Sequence, residues 1–355
     1  MNRVVVGLSG GVDSAVAALM LKRQGYEVIG LFMNNWEETD ENGVCTAHED
    51  WADVRGICQK LDIPHYSVNF AREYSDRVFD HFLAEYRHGR TPNPDVLCNR
   101  EIKFGAFQDY ALKLGADFMA TGHFVRRDEA GNLFKGADSD KDQSYFLYMT
   151  KAAQLRSALF PLGELKKSQV RQIARDAGLP VSEKKDSTGI CFIGERRFKQ
   201  FLQQYLPAQP GDMVSEDGEF LSRHDGLMYY TIGQRRGLGI GGRGDGRSWF
   251  VAGKDLEHNR LLLVQGENHP KLFAGAALIE QITWVNGVPC EDGIPYRLCG
   301  KLRYRQMDQT MALTLSGDTG ILAFDTPQRA VTPGQSAVLY AGDRCLGGGI
   351  ISTAL

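Results

Sequence analysis

Residues 3–14 read Arg3-Val4-Val5-Val6-Gly7-Leu8-Ser9-Gly10-Gly11-Val12-Asp13-Ser14, and this stretch decides the fold. The β-branched run 3–8 predicts a buried strand. Apolar residues at 12, 15, 16, 19 and 20 follow a helical period, and Gly25 ends that helix. A strand, a glycine turn and a helix start therefore meet within twelve residues. Two adjacent glycines let the backbone approach an anion closely. The free N–H groups at the helix start and the helix macrodipole favour phosphate there. Ser9 and Ser14 add hydroxyl donors, and Asp13 offers a carboxylate for the Mg²⁺ that accompanies ATP. The pattern G-x-x-x-x-G-K-[ST] occurs nowhere in the chain, so this is a phosphate loop of another kind. Gly237, Gly239 and Gly242 fit G-x-G-x-x-G but lack a βαβ context and are set aside.

Working outward, strands are expected at 26–33 (YEVIGLFM), 63–70 (IPHYSVNF) and 116–123 (ADFMATGH), with helices at 49–61 and 74–87. Strands alternating with helices imply a doubly wound parallel sheet, and the alternation holds to about residue 145. The texture is helical from 151, with a helix within 165–180 that Gly178 and Pro180 close. Residues 208–260 are glycine-rich with short strands. From 275 onward, alternating segments such as 297–305, 311–316 and 336–351 predict a small β-barrel. The fold class is thus α/β plus β. The expected division is a catalytic domain over 1–150 with a helical extension over 151–206 carrying Cys191, a β-rich central domain over 207–272 and a C-terminal barrel over 273–355.

The chain has 355 residues, long enough for two or three domains at roughly 150 residues each. With 43% apolar and 24% charged residues it is neither fibrous nor disordered. A net charge of −3 excludes a general basic coat. Local basic faces remain: residues 232–247 and 301–305 each carry +3. Charge runs are usually solvated faces, so these only permit a nucleic-acid partner. No run of 18 apolar residues occurs and the N-terminal apolar stretch is short, so a cytoplasmic location is expected. Seven scattered cysteines form neither a disulfide framework nor a structural-zinc spacing.

Two of those cysteines sit in distinctive segments. Thr91-Pro92-Asn93-Pro94-Asp95-Val96-Leu97-Cys98 places a carboxylate three residues from a thiol, and its two prolines are expected to exclude regular helix. Asp186-Ser187-Thr188-Gly189-Ile190-Cys191 follows Lys184 and Lys185, two cations able to lower a thiol pKa. Residue types and spacing alone leave both cysteines open to a buried structural role, or to ligation of an iron–sulfur cluster with a third group.

The loop Ser9–Ser14 resembles the pyrophosphate loop of the N-type ATP pyrophosphatases. The resemblance extends over nearly the whole chain to the tRNA-specific 2-thiouridylases. It rests on GLSGGVDS (7–14), TPNPDVLCNREIKF (91–104), ATGH (120–123), KDQSYFL (141–147), STGICFIGER (187–196), YYTIGQRRGLGIGG (229–242) and KLRYRQ (301–306), in the family's order. One departure is LSRHDG (221–226), where the family usually has a glycine after the leucine. The resemblance implies a Rossmann-like sheet of the adenine-nucleotide-alpha-hydrolase type. It implies ATP-dependent 2-thiolation of the anticodon wobble uridine through an adenylated intermediate, a persulfide on Cys191, attack by Cys98 and acid/base help from Asp95. It assigns ATP contacts to Gly7, Leu8, Ser9, Gly10, Gly11, Val12, Asp13, Ser14, Met33 and Gly122. Asn93, Pro94 and Asp95 would surround the target base. His123, Lys141, Asp142, Gln143, Arg303, Tyr304 and Gln335 would meet tRNA. A sulfur-carrier protein fed by a cysteine desulfurase would be the further partner, and a Cys98–Cys191 disulfide the by-product. The rivals are a small-molecule adenylating synthetase, a tRNA thiolase with another target base, and a non-catalytic RNA-binding protein.

Overall fold

The computed structural model describes residues 1–36, 46–186, 198–241 and 246–355. Its first sheet is parallel and built from β1 (Arg3–Leu8), β2 (Glu27–Asn34), β3 (His65–Asn69), β4 (Phe118–Ala120) and, beyond a hairpin of β5 (Val125–Arg127) and β6 (Leu133–Lys135), β7 (Ala158–Leu159). The strand order is β3-β2-β1-β4-β7. Val4, Val5 and Val6 have no exposed surface, as a central strand covered on both faces requires. The chain runs outward from β1 to β3, then returns to place β4 on the other side of β1. The switch point therefore lies at the C-terminal ends of β1 and β4, where doubly wound sheets open their ligand crevice.

The sheet extends past residue 150, because β7 pairs with β4 through Met119–Ala158 and Ala120–Leu159. The helix Lys167–Asp176 packs on the helix Val12–Arg23 that follows the glycine turn. Residues 151–176 thus complete the first unit rather than append to it.

The second sheet contains β8 (Gly211–Ser215), β9 (Phe220–His224), β10 (Trp249–Asp255) and β11 (Arg260–Gln265), in the order β10-β11-β8-β9. The third contains β12 (Phe273–Trp284), β13 (Tyr296–Lys301), β14 (Gln309–Ser316), β15 (Thr319–Arg329), β16 (Ser336–Ala341) and β17 (Arg344–Ala354). Pairing of β12 with β17 closes these six into a barrel. The β5–β6 hairpin of the first unit adds to the barrel's β17 through Arg344–Phe134 and Cys345–Leu133. One buried cluster runs from Val5 through Phe107 and Tyr145 to Val338 and Tyr340, so the α/β unit and the barrel share a core. No helix among the described residues is long and apolar enough to cross a membrane.

Candidate active site

The glycine turn forms as its residues dictate. Gly10 has φ +75°, and a Cβ there would lie 2.8 Å from the Asp50 carbonyl oxygen. Gly11 is the N-cap of the helix Val12–Arg23, and no side chain caps that helix's first N–H groups. Those groups therefore face the crevice ready for an acceptor. The Ser14 hydroxyl donates to the Gly11 carbonyl at 3.1 Å and accepts from the Ser9 N–H at 3.2 Å, which locks the turn. Leu8, Val12 and Ser14 are buried, so Gly7 to Ser14 presents mainly backbone, with Ser9 exposed. Gly122, just past β4, touches the turn: a Cβ there would lie 2.8 Å from Asp13 C and Ser14 N. Half-buried Met33 sits at the end of β2, with its Cε 3.8 Å from where a Gly7 Cβ would be.

Asp13 is held in an ion cluster. Lys167 Nζ donates to its two carboxylate oxygens at 2.6 and 2.8 Å, and lies 2.8 Å from Asp186 Oδ1. Lys141 and Arg171 reach Asp186 at 2.8 and 2.6 Å. Burial raises the Asp13 carboxyl pKa and Lys167 pulls it back. Burial also pushes Asp186 up, but hydrogen bonds from Lys141 and Lys167 outweigh this and bring it down to about 2. Three cations share two carboxylates, a surplus of positive charge beside the turn. Both oxygens of the expected Mg²⁺ ligand are thus taken by an ammonium, and this donor set does not fit a metal held by protein carboxylates. Lys184 is likewise committed, to Asp50 at 2.8 Å and Asp53 at 2.5 Å, so its charge is not available to a thiol. Lys167, Arg171 and Lys103 were not singled out from sequence, because Lys167 lies 154 positions from its partner Asp13.

The proline-rich segment is helical, contrary to expectation. Asn93 is the N-cap, its Oδ1 accepting from the Asp95 N–H at 3.2 Å. Pro94 occupies the first helical position, where a missing N–H costs nothing. The helix continues as a π-helical run from Cys98 to Phe107. Such wide turns are rare and concentrate at functional sites. Cys98 is buried one turn after Asp95. Burial raises the Asp95 carboxyl above its ordinary range, opposed by the charge of Lys103.

His123 joins the two halves. Expected to face tRNA, it is buried instead. Its Nδ1 lies 2.8 Å from Thr121 Oγ1 and its Nε2 3.4 Å from Lys103 Nζ. Burial and the Lys103 charge hold its pKa well below the ordinary value. The neutral ring thus ties the strand end at Gly122 to the helix carrying Cys98.

Other expected tRNA contacts also turn inward. Asp142 is buried, accepting from Gly136 N–H and Ser144 N–H at 3.1 Å and lying 3.6 Å from Lys301 Nζ of the barrel. Gln143 Oε1 accepts from the Phe124 N–H at 3.0 Å. Gln335 Nε2 donates to the Thr91 carbonyl at 2.7 Å. Arg303 and Tyr304 follow β13 in a turn rather than lying on the strand. Arg303 donates to the Ala330 carbonyl, and the Tyr304 ring packs 4.4 Å from that of Phe146. Lys141 keeps partial exposure beside Asp186. Cys191 lies outside the described residues, as does Arg243. No disulfide links any two of the described cysteines, and no group of three or more His, Cys, Asp or Glu among the described residues is arranged for a metal.

A glycine turn at the switch point of a doubly wound sheet, with a helix bearing a carboxylate and a buried thiol tied to it, fits a class: a nucleotide-using α/β enzyme with a cysteine of its own. Family models match along the chain: the tRNA methyl transferase HUP domain over 2–195, its PRC-barrel domain over 199–265 and the aminomethyltransferase β-barrel domain over 275–351. The tRNA-specific 2-thiouridylase MnmA of Pseudomonas paraeruginosa is 58% identical, covering 99% of this chain and 95% of its own. The one from Streptococcus sanguinis is 57% identical over the same shares. The chain belongs to the tRNA-specific 2-thiouridylase family.

Proposed function

We propose that this protein is an ATP-dependent tRNA-uridine 2-sulfurtransferase acting at C2 of the anticodon wobble uridine. The observation that supports this best is the linkage of phosphate loop and carboxylate–thiol helix through Gly122, His123 and Lys103. ATP phosphates rest on the amides of Gly10 and Gly11 and the hydroxyls of Ser9 and Ser14, with Gly7, Leu8, Val12, Met33 and Gly122 around the nucleotide. Lys167 moves from Asp13 to the phosphates as they enter. Mg²⁺ enters with ATP, and no step is assigned to it.

The uridine is turned out of its stack between Asn93, Pro94 and Asp95. Its O2 forms a bond to the α-phosphorus while the bond to the β-phosphate oxygen breaks, releasing pyrophosphate. Asp95, whose pKa burial raises above the ordinary carboxylate range, serves the ring as acid and base. Sulfur arrives as a persulfide on Cys191, supplied by a sulfur-carrier protein fed by a cysteine desulfurase. The Cys98 thiolate attacks the Cys191 sulfur, forming a Cys98–Cys191 disulfide and freeing hydrosulfide. Hydrosulfide adds to C2 and AMP leaves with the former O2. An external dithiol then reduces the disulfide. Lys141, Arg303 and Tyr304 are the tRNA contacts this reading keeps, while His123, Asp142, Gln143 and Gln335 position the elements around the site.

The test is nucleoside mass spectrometry on unmodified tRNA incubated with the protein, ATP, Mg²⁺, cysteine and a desulfurase relay. The expected product is 2-thiouridine, dependent on ATP and absent with Cys191→Ser. Formation of 4-thiouridine or 2-thiocytidine overturns the target. No thiolated nucleoside, where another thiolase works, overturns the reaction in favour of a small-molecule adenylating enzyme.

A further inference from the structure

A cavity of about 350 Å³ lies where the three units meet. Gly89–Thr91 of the α/β unit, Ile232 and Lys254 of the central unit, and Leu272, Phe273 and Val331 line it. Leu256 and Phe273, both among its lining, are 56% and 37% exposed. Lys254 enters through a bulge in β10, where the register shifts between Val251 and Gly253. Bulges re-aim the side chains beside them. The ammonium donates to the Gly89 carbonyl at 2.8 Å, and among the described residues it has no ion pair.

The surrounding charges do not answer it. The lining contains His88, Arg90, Lys254 and Lys271 and no carboxylate. Arg90 is paired with Glu85 at 3.6 Å, and Lys271 with Glu216 at 3.2 Å. The adjoining Asp255 faces His258 at 2.9 Å. An ammonium has three donors and here places one. Lys254 is half-buried, and a charge partly withdrawn from water without a counter-charge carries a cost that an arriving anion relieves.

We propose that this cavity is a binding site for a small monocarboxylate with an apolar body, its carboxylate on Lys254 and its body against Ile232, Leu272, Phe273 and Val331. An apolar cavity of about 150 Å³ holds benzene, so this one holds roughly twice as many heavy atoms. The site adjoins the segment 89–91. There the Thr91 N–H donates to the Pro333 carbonyl at 2.9 Å, two residues before Asn93. An occupant would pin the three units together at the approach to the Cys98 helix.

The probe is octanoate, titrated into the full chain by calorimetry without ATP or tRNA, so the result is independent of the sulfurtransferase reading. Comparison ligands are 1-octanol and inorganic phosphate. Octanoate is expected to bind at least 10-fold tighter than either. Lys254→Met should abolish that preference, and Ala252→Phe, which fills the cavity and leaves the ammonium, should abolish binding of octanoate. Burial pushes Lys254 down to about 8, so octanoate affinity should fall as pH rises through 8. Equal binding of octanoate and octanol, tighter binding of phosphate, or octanoate binding unaffected by both substitutions overturns the proposal.

Discussion

Two half-buried lysines divide the molecule. Lys167, beside the phosphate loop, touches two carboxylates and leaves 12% of its side chain exposed. Lys254, at the three-unit junction, has a single carbonyl. The same residue type is fully compensated in one place and barely in the other. A lysine paired with two acids is stable at rest and can be exchanged onto phosphate at small net cost, since its acids have other cations nearby. An unpaired lysine is a standing cost that falls only when something anionic arrives. The comparison separates a site organised around charge it already holds from one organised around charge it lacks.

The strongest way to break the first region is Gly122→Ala. Its Cβ would fall 2.8 Å from backbone atoms of Asp13 and Ser14, which cannot yield without moving the loop. We expect kcat/KM for ATP to fall on the order of 100-fold or more, about 2.7 kcal/mol, with the thermal transition retained. Wild-type kinetics in this variant would remove Gly122 from the ATP site. Lys167→Ala should raise the KM for ATP about 10-fold to 100-fold, with Lys167→Arg recovering part. An unchanged KM in Lys167→Ala would mean that the lysine only holds Asp13 and Asp186 in place.

Lys254→Met probes the second region through stability. The folded-state pKa of about 8 lies below the ordinary 10.5, so the native state sheds its proton first as pH rises. Wild-type stability therefore rises between pH 8 and 10.5. The Met variant should be more stable by on the order of 1–3 kcal/mol at pH 7, with the gain shrinking to nothing by about pH 10.5. Denaturant unfolding at three pH values checks this, and a variant less stable at every pH contradicts it.

Asp95 is the acidic counterpart, half-buried, with desolvation raising its pKa and the charge of Lys103 opposing that rise. Its raised pKa favours the protonated native state, so wild-type stability is lost as pH rises past the ordinary carboxylate range. Asp95→Asn should equal wild type near pH 4 and be more stable than wild type at neutral pH, while thiolation fails. The smallest effect belongs to an exposed pair: Arg72→Ala removes a 3.8 Å contact with Asp76 and should cost less than about 0.5 kcal/mol.

Part of the candidate site is legible in the sequence. The valine run, the glycines at 10 and 11 and the apolar period from Val12 define the strand, turn and helix locally, and the structure places them at the switch point. Pro94 was misread because a proline excludes helix from its interior but favours the first turn, and Asn93 supplies the cap that makes it the first turn. The resemblance places His123 and Asp142 against tRNA, whereas in the structure both are buried. Their burial depends on Thr121, Lys103 and the barrel's Lys301, whose proximity nothing in the chain's order announces.

Periods of two and 3.6, capping chemistry and glycine's tolerance of positive φ act over a few residues. The sequence by itself therefore determined the parallel sheet, the strand–glycine turn–helix at its switch point and the succession from α/β to β. Ion pairing acts across 154 positions in Asp13–Lys167, and hydrogen bonding of an ammonium to a carbonyl across 165 in Gly89–Lys254. Which lysine is answered, which carboxyl is buried and where the three units leave a cavity were decided only by the tertiary structure, because desolvation and ion pairing depend on what surrounds a group in space.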